Sequence, residues 1–261
     1  MATLVLPYYN EEDYIAKTII SLAGQVDRRF ALILVDNGST DRSLEIAREA
    51  ASKLNDIVVT FIEETTPGKV NALRTGLDHC ETRYVGTIDA DTIYPPNYVG
   101  RALRIMQRPS APVCALAFAL PLGGVNSSQH RKLAAFAKWI PEKCHTGGFG
   151  QTFDRQILES VGGFDPQRWP FVLEDHEIIH AIAKLGPLGY DPKHVCYPSD
   201  RRANRSSCSW TLGERVLYKI MPRQLMDAYF YKILGPRFER RGLRNIALRE
   251  RQWLTSGDVA S

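Results

Sequence analysis

The sequence contains no apolar run long enough to cross a lipid bilayer. Its longest apolar stretch, residues 111–124, has 14 residues and is interrupted by prolines, whereas a spanning helix needs about 20. The amino terminus passes directly into a strand-like run, Thr3–Leu6, without the basic start and small-residue cleavage site of a secretory signal. We therefore expect a cytosolic protein without a transmembrane helix.

Cysteine is scarce, and its spacing favours no metal site. The chain has five cysteines, at positions 80, 114, 144, 196 and 208, with no Cys-x-x-Cys pair. An odd number without such a pair disfavours both a disulfide framework and a thiolate zinc site. We expect all five thiols to be reduced and structural.

Excess positive charge is absent from most of the chain and is concentrated near its end. Residues 201–253 contain 13 Lys+Arg against 4 Asp+Glu, whereas residues 1–200 contain 20 against 24. Apolar and aromatic residues lie among these charges, as in Leu217–Met221 and Tyr229–Leu234. Two interpretations remain open for residues 211–253: peripheral binding to an anionic membrane, or helices packed on the domain with a solvated basic face.

The first 120 residues alternate apolar runs with helical patterns. We predict strands at about 2–7, 31–35, 57–62, 84–88 and 113–119, with helices at about 12–23, 42–54, 69–79 and 97–107. This βαβ alternation is typical of a mainly parallel, Rossmann-like sheet flanked by helices. The chain then becomes irregular up to a helix at about 174–185. A last helical stretch at 211–234 is interrupted near Pro222 and ends at Gly235-Pro236.

Asp89-Ala90-Asp91 is the most informative motif. Two carboxylates one residue apart follow the apolar run Tyr84–Ile88, and their desolvation is costly unless a hard cation or hydrogen-bond donors neutralise them. An acidic pair can also cap a strand or helix. Other polar residues follow predicted strands at the same sheet edge, where ligands of such sheets bind.

Two further segments have the composition of a nucleotide site. Asp36 follows a strand and can accept hydrogen bonds from a base, although Asn37–Asp41 also has the composition of a helix-start turn. Lys69 and Asn71 lie at a helix amino terminus, which suits anionic oxygens. A solvent-exposed Lys69 would produce the same pattern.

Six short motifs occur in order along residues 3–200, and together they resemble the motif series of family 2 inverting glycosyltransferases of the bacterial cell-envelope or polysaccharide type. They are Pro7-Tyr8-Tyr9-Asn10-Glu11, Val35-Asp36-Asn37-Gly38-Ser39-Thr40-Asp41, Gly68-Lys69 with Asn71-Ala72-Leu73, Asp89-Ala90-Asp91, Gly162-Gly163-Phe164-Asp165 and Glu174-Asp175. The resemblance implies a GT-A fold, a nucleotide-diphosphate sugar donor, and Mn²⁺ or Mg²⁺ bound by Asp91 and Asp89.

The resemblance also implies roles for individual residues. Asp175 matches the general base that takes the acceptor proton, and Glu174 its neighbour, although two acids at a helix start are also favoured by the helix dipole. Arg201 and Arg202 resemble arginines that approach the diphosphate. The residues expected to contact the donor are Pro7, Tyr9, Glu11, Asp36, Lys69, Asn71, Asp89, Ala90, Asp91, Arg201 and Arg202. His145 and His194 are further possible metal ligands.

The leading hypothesis is a metal-dependent inverting hexosyltransferase that moves one sugar, with UDP-sugar as the favoured donor. The chain lacks the Gln-x-x-Arg-Trp element of processive synthases. The acceptor would be a hydroxyl of a glycan or lipid-linked molecule at the inner membrane face, with no nucleic acid involved. Alternatives are a nucleotidyltransferase of similar fold and a basic nucleic-acid-binding protein.

The resemblance and the charge distribution together predict a domain organisation. Residues 1–205 would form the catalytic domain, with 1–120 binding the nucleotide sugar and 121–205 the acceptor. Residues 206–261 would form a basic amphipathic helical extension.

Overall fold

Eight strands form one mixed sheet in the computed structural model, which describes residues 1–125, 127–144, 147–199 and 210–246. The strand order is β3-β2-β1-β4-β7-β6-β8-β5. The strands are β1 (Ala2–Tyr8), β2 (Phe30–Asp36), β3 (Val59–Glu63), β4 (Tyr84–Thr87), β5 (Thr92–Ile93), β6 (Cys114–Ala119), β7 (Gln151–Asp154) and β8 (Leu188–Pro198). Four neighbouring pairs are parallel, β1 with β2 and β4, β2 with β3, and β6 with β8. The other three are antiparallel.

Nine α-helices are present in the described residues. They are α1 (Ile15–Ala23), α2 (Ser43–Ala51), α3 (Lys69–Asp78), α4 (Tyr98–Met106), α5 (Ser128–Trp139), α6 (Arg155–Ser160), α7 (Glu174–Ala183), α8 (Leu212–Ile220) and α9 (Gly235–Arg240). Short 3₁₀-helices cover Pro141–Lys143, Gly148–Gly150 and Arg223–Leu225, and a π-helix covers Ala228–Leu234.

Helices cover both faces of the central strands, which explains why those strands are apolar throughout. Leu4 and Leu6 of β1 pack in one core cluster with Ile19 of α1. Val5, between them, packs in a second cluster with Val70 of α3. Because successive side chains of a strand point to opposite faces, burial on both faces requires a continuous apolar run.

The predicted βαβ alternation of the first half is confirmed. Each of the five predicted strands and four predicted helices is present, with ends that differ by at most three residues. β1, β2 and β4 run parallel, so their carboxyl ends lie at one edge of the sheet. We call this the catalytic edge.

The second half contains more regular structure than its irregular pattern predicts. Helix α5 and strand β7 occupy the region expected to be irregular, and β8 follows α7. The expected helix end at Gly235-Pro236 is wrong, because α9 begins there. Proline fits this position, since a helix's first turn does not need its backbone N–H.

The carboxy-terminal helices pack on the loop that precedes α7. Tyr229, Phe230, Leu234 and Phe238 are completely buried, in one cluster with Trp169 and other side chains of that loop. Of the two interpretations left open for residues 211–253, the packed one is therefore correct for these four residues, whereas Tyr231 is 40% exposed. Residues 247–253 lie outside the described part of the chain.

The predicted boundary at residue 120 does not divide the sheet. β7 lies between β4 and β6, so strands from both predicted halves alternate in one sheet. The division into donor and acceptor halves stays a functional prediction.

The cysteines and the helices can be compared with the expectations of reduced thiols and of no transmembrane helix. Cys80, Cys114, Cys144 and Cys196 are buried free thiols, and Cys208 lies outside the described residues. In the part of the chain that the structure describes, no helix combines the length and apolarity that crossing a membrane requires.

Candidate active site

The loops that follow β1 and β2 are joined at the catalytic edge by hydrogen bonds. The Asn10 side-chain oxygen accepts from the Thr40 backbone N–H at 2.8 Å, and the Glu11 N–H donates to Ser43 Oγ at 2.7 Å. Asn10 has a φ of 51°, a left-handed conformation that asparagine adopts more readily than most residues. The two loops therefore form one wall of the site.

Asp36 ends β2 inside this wall and is 9% exposed. Its Oδ1 accepts a hydrogen bond from the Ser39 N–H at 2.8 Å, so the turn interpretation holds for this oxygen. Within the described residues, Asp36 Oδ2 has no hydrogen-bond partner. A base edge can therefore still be bound by the second oxygen.

Asn37 fixes the loop that leads to Lys69, a role that the sequence did not reveal. Its side-chain oxygen accepts from the Gly68 N–H at 2.8 Å, and its Nδ2 donates to the carbonyls of Glu64 and Thr66. Gly68 has a φ of 127°, which favours glycine. This loop places Lys69 at the first position of α3.

The Asp89-Ala90-Asp91 turn is held by residues that are distant in sequence. Buried Thr18 of α1 donates from Oγ1 to the carbonyl of Ala90 at 2.7 Å. The Asp89 N–H donates to Tyr94 Oη at 3.0 Å, and that hydroxyl donates to the carbonyl of Phe149 at 2.8 Å. Neither Thr18 nor Tyr94 was identified from the sequence.

Asp91 is 5% exposed and contacts the end of β8. Ser199 donates twice, from its backbone N–H to the Asp91 carbonyl at 2.9 Å and from Oγ to Asp91 Oδ2 at 3.1 Å. These contacts place the carboxylate of Asp91 next to Ser199. Arg201 and Arg202 belong to residues 200–209, which lie outside the described part of the chain.

Lys69 connects the two acidic motifs. Its Nζ lies 2.7 Å from Asp89 Oδ1 and 3.7 Å from Glu174 Oε1. The three side chains are at most about a third exposed, so the charges interact in a partly desolvated site. Asp89 and Glu174, which are far apart in sequence, therefore share one cation.

A strained residue directs the start of α7 into the site. Leu173, which precedes the helix, has a φ of 66°, a conformation that a bulky side chain rarely adopts. Such backbone strain is concentrated at functional sites.

The Glu174 carboxyl at the start of α7 is buried, and burial raises its pKa above its ordinary value. The Lys69 ammonium opposes this increase, and the Asp175 carboxylate adds to it.

Asp175 is 8% exposed and is oriented by its neighbours. His176 Nδ1 lies 3.0 Å from Asp175 Oδ1, and the Gln151 side-chain amide donates to the Asp175 carbonyl at 3.3 Å. The His176 ring contacts the rings of Trp210 and Tyr218, with centroid distances of 4.7 and 5.6 Å. The aromatic contacts restrict the imidazole, which in turn holds the carboxylate.

Gly148 provides the space beside Asp175. A Cβ added at Gly148 would lie 3.3 Å from Asp175 Cβ and 3.7 Å from Lys69 Nζ. The Gly148 carbonyl accepts a hydrogen bond from Thr87 at the end of β4. Gly148 therefore lies between Asp175 and the end of β4, the strand that leads into Asp89-Ala90-Asp91.

Several predicted site residues have other observed partners. Asn71 donates from its side chain to the Pro67 carbonyl at 2.9 Å, which holds the turn before α3.

His194 is completely buried, and its ring nitrogens have no hydrogen-bond partner in the described residues. Burial lowers the pKa of His194 to about 3. Its ring packs on that of Tyr98, with a centroid distance of 4.7 Å. His145 lies outside the described residues. Pro7 is buried in β1, and Tyr9 is half-buried after it.

The carboxylates fit a divalent cation that is shared with a substrate. No group of three His, Cys, Asp and Glu side chains within the described ranges is placed to hold a metal alone. Mg²⁺, however, usually takes one or two carboxylates together with substrate phosphates and water. Asp89 and Asp91 supply such a pair, and they are the residues that would hold the ion.

A family model supports the relation that the motifs indicated. Residues 3–163, more than half of the chain, match the model described as Glycosyl transferase family 2. A curated relative, the undecaprenyl-phosphate 4-deoxy-4-formamido-L-arabinose transferase of Edwardsiella ictaluri, is 35% identical over 102 residues, which are 38% of this chain and 31% of that protein. The matched part thus spans about a third of this relative's length.

Solved structures of glycosyltransferases share the fold. The mannosyltransferase PcManGT of Pyrobaculum calidifontis, in complex with GDP-Man and Mn²⁺, has a TM-score of 0.67 at 22% identity, covering 89% of this chain and 68% of that one. S. aureus TarS 1-349 in complex with UDP-GlcNAc has a TM-score of 0.63 at 18% identity, covering 91% and 72%. The chain therefore has the GT-A fold, as predicted.

Proposed function

This chain belongs to glycosyl transferase family 2, and from that premise we propose that it is a metal-dependent, inverting glycosyltransferase. It moves one hexose from a nucleotide-diphosphate sugar to a hydroxyl of a glycan or lipid-linked acceptor. One observation carries the proposal. Lys69 Nζ lies between Asp89 and Glu174, so a single cation joins the carboxylates assigned to the donor and to the acceptor.

The donor diphosphate would lie at the amino terminus of α3. Backbone N–H groups at a helix start attract phosphate oxygens, and the Lys69 ammonium adds a full positive charge there. The base would be bound by Asp36 Oδ2 beside the loop of Tyr9. UDP-sugar is the favoured donor, and the similar solved structures are complexes with UDP-GlcNAc and with GDP-Man.

Asp89 and Asp91 would hold the divalent cation, Mn²⁺ or Mg²⁺. When bound, such an ion acts as a Lewis acid that stabilises the negative charge of the departing diphosphate. The chain's own contribution is to fix the two carboxylates, through Thr18 and Tyr94 on the turn and through Ser199 on Asp91.

Asp175 is proposed as the general base. The acceptor oxygen forms a bond to the anomeric carbon, while the bond from that carbon to the diphosphate oxygen breaks and its electron pair goes to the diphosphate. The acceptor proton passes to Asp175, whose carboxylate is held by His176. Attack from the face opposite the leaving group inverts the anomeric centre. Glu174 serves as the neighbour that pairs with Lys69.

The acceptor side is proposed to operate at the inner face of a membrane. The curated relative's name specifies undecaprenyl phosphate, a lipid carrier. The basic residues of 211–253 supply positive charge for peripheral contact with anionic lipid, each contributing about 1 kcal/mol near the surface. Arg201 and Arg202 remain proposed diphosphate contacts.

The metal and donor assignment can be tested with Asp91→Ala. Because a divalent ion compensates the diphosphate charge, the variant should lose the Mn²⁺-dependent part of UDP binding, measured by isothermal titration calorimetry. The fold should survive, since Asp91 is at a loop end and its backbone contact to Ser199 is independent of its side chain.

Asp78→Ala is the matched control. Asp78 is exposed at the far end of α3, so its removal should leave Mn²⁺-dependent binding unchanged. Unaltered Mn²⁺-dependent affinity in Asp91→Ala, with a normal circular dichroism spectrum, would refute the assignment.

A further inference from the structure

The segment between β6 and β7 carries an apolar surface that the rest of the described chain does not cover. In α5 and just after it, Phe136 is 58% exposed, Trp139 85% and Ile140 40%. Their spacing of i, i+3 and i+4 places them on one side of the helix. We call these three residues the α5 surface.

A second exposed stripe lies on α8. Leu212, Val216 and Ile220 are 79%, 49% and 70% exposed, at a spacing of four residues that aligns them along one face. The opposite face of α8 is packed through Tyr218 and Glu214, which are buried. The helix is therefore apolar on a side that faces away from its own core.

The elements that carry the α5 surface and the α8 stripe are neighbours. The 3₁₀-helix Pro141–Lys143 follows Ile140 directly, and its Lys143 Nζ donates to the Tyr218 carbonyl at 2.7 Å. Tyr218 Oη donates to the Glu142 carbonyl at 2.8 Å. The 3₁₀-helix after α5 is thus attached to the packed face of α8, near the carboxyl end of that helix.

The charges beside these residues are mainly positive, and half-buried Glu142 is the acidic exception. Residues 128–139 contain Arg131, Lys132 and Lys138 and no acidic residue. On α8, Arg215 and Lys219 are exposed, whereas the acidic Glu214 is buried and paired with Arg241. A twofold dimer would place this patch against its own copy and so bring like charges together. An anionic bilayer matches the charge, and exposed tryptophan is typical of the bilayer interface.

The position of the segment relates it to the active site. β6 is antiparallel to β7, which is antiparallel to β4, so β6 ends at the catalytic edge. The chain leaves that edge at Ala119 and returns at Gly148, which lies beside Asp175. The segment that carries α5 therefore begins and ends at the catalytic edge.

We propose that the α5 surface and the α8 stripe form a docking face for an anionic membrane. The apolar side chains enter the interface, and Arg131, Lys132, Lys138, Arg215 and Lys219 stay near the head groups. The relation to a lipid-linked acceptor rests on the proposed function, but docking itself does not require catalysis.

Flotation of the full chain with phosphatidylcholine vesicles, with and without phosphatidylglycerol, tests the face. Wild-type protein should float with the anionic vesicles, less so at high salt. The double variant Phe136→Ser/Trp139→Ser should partition at least about tenfold more weakly, because two large apolar side chains no longer enter the interface. Lys132→Gln/Lys138→Gln should lose about fivefold per charge, for anionic vesicles only.

Val58→Ser and Lys53→Gln are the matched controls. Both residues are exposed near the amino end of β3, at the sheet edge opposite the site, and neither change should alter flotation. In a Trp253→Phe background, Trp139→Phe should still float but should lose most of the fluorescence quenching caused by brominated phospholipids, since Trp169 is buried and half-buried Trp210 packs on His176 and Tyr218. This variant separates the position of Trp139 from overall affinity.

Three outcomes would overturn the inference. One is equal flotation of wild type and Phe136→Ser/Trp139→Ser, including the case in which only Arg223 and Lys232 replacements weaken binding. Another is unchanged quenching in Trp139→Phe. The third is concentration-dependent dimerisation that the double variant abolishes while flotation persists. UDP binding without vesicles reports the proposed function separately, so a failed docking face and a failed enzyme assignment give different results.

Discussion

Asp175 is the residue at which binding and chemistry can be separated. Asp175→Asn keeps the size of the side chain but cannot take a proton, so turnover should fall by roughly 10²–10⁴-fold. Donor binding should persist, because the contacts proposed for the donor lie on Asp36, Lys69 and the Asp89–Asp91 turn. Turnover of UDP-sugar with acceptor and calorimetric UDP binding measure the two effects.

Asp227→Asn is the control for this variant. Asp227 also contacts α7, through His180 and Lys184, but at the other end of the helix. It is more than half exposed, so the change should leave turnover near the wild-type value. Near-normal turnover in a folded Asp175→Asn protein would show that the base lies elsewhere.

The positions of candidate site residues were predictable where the sequence places them next to strand ends. Asp36, Asp89 and Asp91 follow apolar runs, and parallel strands bring their carboxyl ends to one edge. Thr18 and Ser199 were not predictable, because they contact the turn from 72 and 108 residues away in sequence. Serine and threonine are common on helices and loops, so only the fold distinguishes these two.

Helix α3 approaches the sheet closely at Gly76. A Cβ added there would overlap Cγ1 of Val5 and lie 3.2 Å from Cγ2 of Val35. Overpacking costs about 1–3 kcal/mol, whereas replacing a helical glycine by alanine gains at most about 1 kcal/mol. Gly76→Ala should therefore lower the free energy of unfolding, with a melting temperature lower by a few degrees in calorimetry.

Gly213→Ala, the same substitution at an open position, should raise the free energy of unfolding. Gly213 is in α8 with nothing within 4 Å of an added Cβ. Here only the reduced freedom of the unfolded chain matters, and the variant should gain about 0.5 kcal/mol. A Gly76→Ala protein as stable as Gly213→Ala would contradict the close packing of α3 on β1 and β2.

Elements were predictable from the sequence where burial repeats with a simple period. β1 and β2 are apolar throughout, since both faces are covered. β7 has only four residues, and its place between β4 and β6 depends on pairs formed across the sheet. α5 escaped prediction because its exposed Phe136 and Trp139 obscure the usual apolar stripe of a packed helix.

At the scale of the whole molecule, one sheet carries both halves of the site. β4 leads to the Asp89–Asp91 turn, and its neighbour β7 follows the loop of Gly148. Loss of this pairing would separate the donor carboxylates from Asp175. Because both walls depend on a single packed sheet, a ligand that binds across them should stabilise the entire fold and not one part of it.

Nucleotide binding should therefore appear as a higher melting temperature. A ligand at 100 times its Kd adds about 2.7 kcal/mol to the free energy of unfolding if it binds only the folded chain. For a chain of this size that is an increase of roughly 5–10 °C. We expect the increase for UDP with Mn²⁺, a smaller one for UDP alone, and little for ADP with Mn²⁺. Scanning calorimetry or dye-based melting with each nucleotide, with and without Mn²⁺, measures the series.

Asp36→Ala serves as the base-side control, because it removes the proposed partner of the base while leaving Asp89, Asp91 and Lys69 in place. The variant should reduce the preference for UDP over ADP. A larger shift with GDP than with UDP would replace uridine by guanosine in the proposal, and equal shifts for all nucleotides, unaffected by Asp36→Ala, would remove Asp36 from base recognition.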